Sequence, residues 1–75
     1  MSFAENVKRL RKEKNYSQKE LAKLVGISQP MINDYENGKK IPSFFTGVEL
    51  ARKLGTTSEE LLYGPIAKQP VERTK

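Results

Sequence analysis

The stretch SQKELAKLVGISQPMINDYENG, residues 17–38, sets two short amphipathic segments on either side of a single glycine. No other feature limits the possible folds as tightly. Gly26 takes a positive φ at low cost, so the chain can turn there without a long loop. The small Ala22 lets the following segment approach closely. Ser17 and Glu20 have the spacing of a capping box, which fixes where the first segment starts. Ser28 is a good N-cap for the second. Pro30 falls in a first turn, whose N–H groups have no intrahelical partner to lose. Asn37-Gly38 stops that segment, with Gly38 at the left-handed position. Leu21, Val25, Ile27, Ile32 and Tyr35 are its inward apolar positions. The turn is too tight for an antiparallel hairpin. The pattern predicts two helices crossing at roughly 90–120°, a helix-turn-helix.

The rest of the chain reads as three more helices, with no convincing strand and no internal repeat. A first helix over Ser2 to Lys14 carries Phe3, Val7 and Leu10 on one face. Ser2 and Glu5 cap it, and Asn15 and Tyr16 end it. Helices over Ser17 to Leu24 and Ser28 to Asn37 form the pair above. The basic loop KKIPS follows. A fourth helix over Ser43 to Leu54 places Phe44, Val48, Ala51 and Leu54 on one face, and Gly55 ends it. Thr57 and Glu60 suggest a third capping box, opening a short helix through Leu62. The fold class is all-α, five helices in one domain over residues 1–63. Residues 64–75, GPIAKQPVERTK, read as a flexible C-terminal tail.

Composition narrows the function. There is no cysteine and no histidine in the 75 residues. Disulfides and thiolate metal sites are excluded, and the commonest general base is missing. Glu59 and Glu60 are adjacent on a helix and do not converge. No catalytic residue, metal, cofactor or small-molecule ligand is expected, and an enzyme is not. No apolar run approaches the ~18 residues of a membrane span, and no signal peptide opens the chain. A cytoplasmic location without a membrane partner is the expectation. The net charge of +5 and pI of about 9.6 point to a polyanion.

The outward face of the third helix suggests which one. Ser28, Gln29, Pro30, Asn33, Asp34 and Asn37 face away from the shared core. In a helix-turn-helix this helix enters the DNA major groove. Gln and Asn suit the donor and acceptor of adenine, Asp accepts from the cytosine amino group, and Met31 or Pro30 can touch a thymine methyl. The helix itself has no Lys or Arg. Phosphate contacts must come from elsewhere: Ser17 and Gln18 at a helix N-terminus, Lys19, and Lys39 and Lys40 in the basic loop. Arg9, Lys12 and Lys14 are further candidates.

The pieces RLRKEKNYSQKELAKLVGISQPMINDYENGKKIPS and ELARKLGTTSEELL resemble the Cro/phage-repressor type (Xre-like) helix-turn-helix family. The resemblance covers residues 3–62. It implies a compact five-helix, lambda-repressor-like domain. It also implies a sequence-specific transcriptional regulator, a repressor first of all, binding double-stranded DNA as a homodimer on a palindromic operator. Carried over by position, Gln18 holds a phosphate, and Gln29, Asn33 and Asp34 face bases. Arg11 and Glu36 form an internal ion pair. Two departures stand out. Gly47 replaces a bulky apolar residue, and Phe45 stands where the family is polar. INDYENGKKIP also resembles multiprotein bridging factors. That keeps open a second class, a protein-interaction module such as a coactivator or an antitoxin. A dimer would have to use this same small domain, with Phe45, Leu62, Tyr63 and Ile66 as candidates. Leu61 reads rather as core. Whether the chain is part of a longer regulator is left open.

Overall fold

The computed structural model describes residues 2–64. Among them are five helices and no strand: α1 (Phe3–Glu13), α2 (Gln18–Val25), α3 (Gln29–Glu36), α4 (Phe44–Leu54) and α5 (Ser58–Tyr63). Helices this short are marginal in isolation. Their ends are therefore well specified. Ser2, Ser17, Ser28, Ser43 and Thr57 each accept a hydrogen bond from the backbone N–H three residues on. The Ser2–Glu5 and Ser17–Glu20 capping boxes are complete, their carboxylates accepting the N-cap N–H at 3.0 and 2.8 Å. The Ser2 backbone N–H, and then its hydroxyl, hold the Glu5 carboxyl below its ordinary pKa. The third box is only half formed. Thr57 accepts from the Glu60 N–H at 3.1 Å, but the Glu60 carboxylate accepts from the Thr56 hydroxyl at 2.7 Å instead. Adjacent threonines compete for the one carboxylate, and the hydroxyl wins.

Gly26 closes α2 in the left-handed region at φ 86°, and the third helix follows within two residues. The α2–α3 pair packs against α1 on one side and α4 on the other, with α5 closing the end between α1 and α4. Val7, Leu21, Ala22, Ile32, Tyr35, Leu50, Ala51, Leu54 and Leu61 form one buried cluster. Phe3 meets Tyr35 edge to face, with ring centroids 6.1 Å apart.

The buried face of α4 differs from the sequence expectation. Phe44 is 75% exposed and Val48 is only half-buried, while Leu50 is fully buried. The inward stripe runs Gly47, Leu50, Ala51, Leu54, at i, i+3, i+4 and i+7. Gly47 supplies no side chain to that stripe. An open apolar hollow of about 180 Å³ lies there, lined by Phe3, Pro42, Phe44, Gly47, Leu61 and Leu62 among others. Phe45 does not fold back to fill it. It is 80% exposed and packs edge to face on Phe44.

One buried polar residue has no counterpart in the sequence reading. Asn6 is fully buried in α1, and its Nδ2 donates to the Leu61 carbonyl at 2.8 Å. A carbonyl in the last turn of a helix has no partner within the helix. Asn6 supplies one for α5, and so ties the two ends of the described chain together. The tail beyond Gly64 lies outside the described residues.

A Cβ built at Gly47 meets only Pro42 Cγ, at an ordinary 3.8 Å. Glycine inside a helix costs about 1 kcal/mol relative to alanine. Gly47→Ala is therefore expected to raise the thermal midpoint by roughly 4–8 °C in calorimetry. An unchanged or lowered midpoint would contradict this account of the hollow.

Candidate nucleic-acid interface

The solvent face of α3 follows from its core face. Ile32 and Tyr35 are buried, so residues on the opposite side must face out. Ser28, Gln29, Pro30, Asn33 and Asn37 are all exposed, and Asp34 is half-buried. Ser28 also caps the helix, its hydroxyl accepting from the Met31 N–H at 3.3 Å. Gln29, Pro30 and Asn33 line a shallow depression together with Gln18 from the start of α2. The structure thus brings Gln18, Gln29, Pro30 and Asn33 to one place. Asn37 joins them through its amide, which donates to Asn33 Oδ1 at 2.9 Å.

Gln18 is already engaged. Its Nε2 donates to Glu36 Oε1 at 3.0 Å, and its Oε1 accepts from Asn33 Nδ2 at 3.5 Å. Glu36 also receives Nε and Nη2 of Arg11, the latter at 3.1 Å. The third Arg11 nitrogen, Nη1, donates to the Tyr16 carbonyl at 2.9 Å. Side-chain exposure is 11% for Arg11 and 3% for Glu36. The carboxylate at the end of α3 is thereby fully paired inside the protein. It places no free negative charge on the outward face.

The sequence-predicted phosphate contacts divide by position. The Ser17 hydroxyl and N–H are both taken by Glu20, at 2.9 and 2.8 Å. The backbone N–H groups of Gln18 and Lys19, in the first turn of α2, have no intrahelical acceptor. Lys19, Lys39 and Lys40 are exposed. Lys40 Nζ lies 3.8 Å from Asp34 Oδ2, a loose surface pair. The dimer candidates Phe45, Leu62 and Tyr63 are exposed, around α4 and α5 rather than beside the α3 face. Ile66 lies outside the described residues. Among the described residues no cluster of His, Cys, Asp or Glu could hold a metal, and no helix is long and apolar enough to cross a membrane.

Sequence reasoning passed over the link from Asn33 to Asn37 and the bond from Arg11 to Tyr16. The first was accessible from their i, i+4 spacing on one helix. The second depends on a loop carbonyl, which no side-chain pattern records.

A tight helix pair in an all-α domain, its second helix offering a polar face beside exposed lysines, defines a helix-turn-helix domain. Residues 7–61 match the helix-turn-helix family HTH_3, and the chain belongs to that family. This agrees with the Cro/phage-repressor resemblance of its motifs. It is 34% identical over 62 residues to the HTH-type transcriptional regulator YqaE of Bacillus subtilis strain 168, covering 83% of this chain and 53% of that protein. Among solved structures it is similar to the P22 c2 repressor in complex with synthetic operator 9T. The TM-score is 0.84 at 26% identity, over 87% of this chain and 98% of that one. It is also similar to the biofilm regulator SinR in complex with DNA, with a TM-score of 0.74 at 27% identity, over 79% of this chain and 95% of that one. The chain spans 53% and 61% of the length of the first two curated relatives it matches.

The Arg11–Glu36 pair is buried enough that removing one partner strands the other. Arg11→Ala is expected to destabilise the domain by about 3–5 kcal/mol in denaturant unfolding. Replacing both residues with apolar ones of similar volume should cost much less. Equal losses for the single and double variants would refute the coupling.

Proposed function

We propose that the chain is a double-stranded DNA-binding transcriptional regulator, acting in the cytoplasm as a repressor without enzymatic activity. In this reading α3 enters the major groove, and Gln29, Asn33 and Asp34 meet base edges. The carrying observation is the exposed amide face of α3, set beside the free N–H groups of α2 and the lysines after α3. Amides and a carboxylate match base-edge donors and acceptors. The lysines and the α2 N-terminus match phosphates, which give affinity without sequence information. Repression then needs only occupancy of a site that transcription must use.

The same reading includes a homodimer on a palindromic operator. Its support is the exposed apolar group of Ile41, Phe44, Phe45 and Leu62, with Tyr63 exposed next to Leu62 in the chain. Large exposed apolar patches mark interaction surfaces. A two-fold dimer would set two copies of α3 about 34 Å apart, one turn of B-DNA. The patch also favours a second reading, a protein-interaction module such as a coactivator or an antitoxin, since α3 bears no cation.

Selection from a random duplex library at physiological salt separates these readings. A symmetric enriched motif is expected. Gln29→Ala should relax one base position by about 1–3 kcal/mol. Lys39→Ala should weaken all sequences alike and lower the salt slope by about 1. Enrichment of no motif, with a protein partner retained on the apolar patch, would favour the interaction module. Sedimentation should show a dimer on DNA that Phe45→Glu weakens. A monomer on an asymmetric site would overturn the dimer.

A further inference from the structure

An asparagine or glutamine amide offers an acceptor at one end and donors at the other. Nothing in the residue itself fixes which end faces which way. Here a fixed reference exists. The Glu36 carboxylate only accepts, and it is held by two N–H groups of Arg11. Gln18 can meet it only with nitrogen, and Nε2 lies 3.0 Å away. The Gln18 oxygen is thereby turned toward Asn33, whose Nδ2 lies 3.5 Å from it. The Asn33 oxygen is left toward Asn37, which donates to it at 2.9 Å. Reversing one amide alone would set oxygen against oxygen, or N–H against N–H. One buried carboxylate therefore orders three amides in sequence.

We propose that this relay fixes the base preference of Asn33, and that Asn37 is its positioning residue. The inference rests on the DNA-reading function above. With nitrogen toward α2 and oxygen toward the end of α3, Asn33 meets the groove with donor and acceptor in one order. Two-bond recognition of adenine needs a donor toward N7 and an acceptor toward the N6 amino group. A fixed amide presents that pair in one direction along the groove. A freely turning amide presents both directions and discriminates less. The backbone does not demand asparagine at position 37. It sits at φ −97°, ψ 4°, outside the left-handed region, which Gly38 occupies instead at φ 73°. The side chain of Asn37 is thus left to act through Asn33.

The test compares wild type with Asn37→Ala and Asn37→Gln in the duplex selection, after thermal melts establish that all three fold alike. The wild type should discriminate about 5-fold or more at the Asn33 base pair. Asn37→Ala should reduce that to under about 2-fold at this position alone, with the rest of the motif intact. Asn37→Gln keeps a donor and should restore part of the preference. Nitrogen relaxation of the free protein should show the Asn33 side-chain amide loosened by Asn37→Ala. Unchanged base preferences would overturn the relay. So would a uniform loss of affinity with every preference retained, since that marks Asn37 as a backbone contact. Both results leave DNA reading standing. No enriched motif with wild type would overturn DNA reading itself, and the relay with it.

Discussion

The pairing of Arg11 with Glu36 is the interaction on which the rest of the arrangement turns. Apolar burial holds the helices together, but it is non-directional. It does not by itself say how far α3 is rotated or slid against α1 and α2. The guanidinium fork does. It grips the carboxylate with two nitrogens and the Tyr16 carbonyl with a third. Such two-pronged charge-assisted bonds have narrow geometry. One side chain of α1 thus fixes the end of α3 and the loop that leads into α2. A buried ion pair contributes little net stability against an apolar replacement. Its value here is orientation, since the residues on the far side of α3 face wherever Glu36 leaves them.

Around that anchor, the domain combines short helices with strong ends. Neither α2 nor α3 exceeds 8 residues. Their start points are set by hydroxyls and their stop points by glycines. The core then needs only to choose how the pieces meet. Asn6 does for α5 what Arg11 does for α3, using a buried amide and a backbone carbonyl. Two polar residues on α1 therefore locate two of the helices it packs against, α3 and α5.

Most of this was legible in the chain. Local signals settle local structure, so the caps at Ser2, Ser17 and Ser28 and the turn at Gly26 could be placed from spacing. The fold class followed from the helix pair and its inward residues. The errors arose where two groups compete for one role. Thr56 outcompetes the Thr57 backbone for Glu60. Phe44 looked like the first member of the α4 stripe because Gly47, its true first member, has no side chain. Asn6 gave no signal, because a helix-interior asparagine reads as a mild defect until the helix end above it is known. The candidate site was legible as a list of outward residues, since helix periodicity gives those directly. The bonds among them were not. They depend on the distance between α2 and α3, which only the assembled core supplies.

The absence of cations from α3 has a physical consequence for recognition. Affinity for DNA comes mainly from phosphate neutralisation and carries no sequence information. A lysine that meets a phosphate holds right and wrong sites alike. Here the cations lie before and after α3, and the face itself carries amides and Asp34. A carboxylate accepts from a base amino group and is repelled by carbonyl or ring-nitrogen acceptors. Lys40 lies 3.8 Å away and both groups are partly exposed, so it screens Asp34 only weakly. In the proposed reading of bases Asp34 would therefore act chiefly by exclusion. A carboxylate so placed lowers affinity for most sequences and is tolerated where a donor is present, which is how a repulsive element produces specificity.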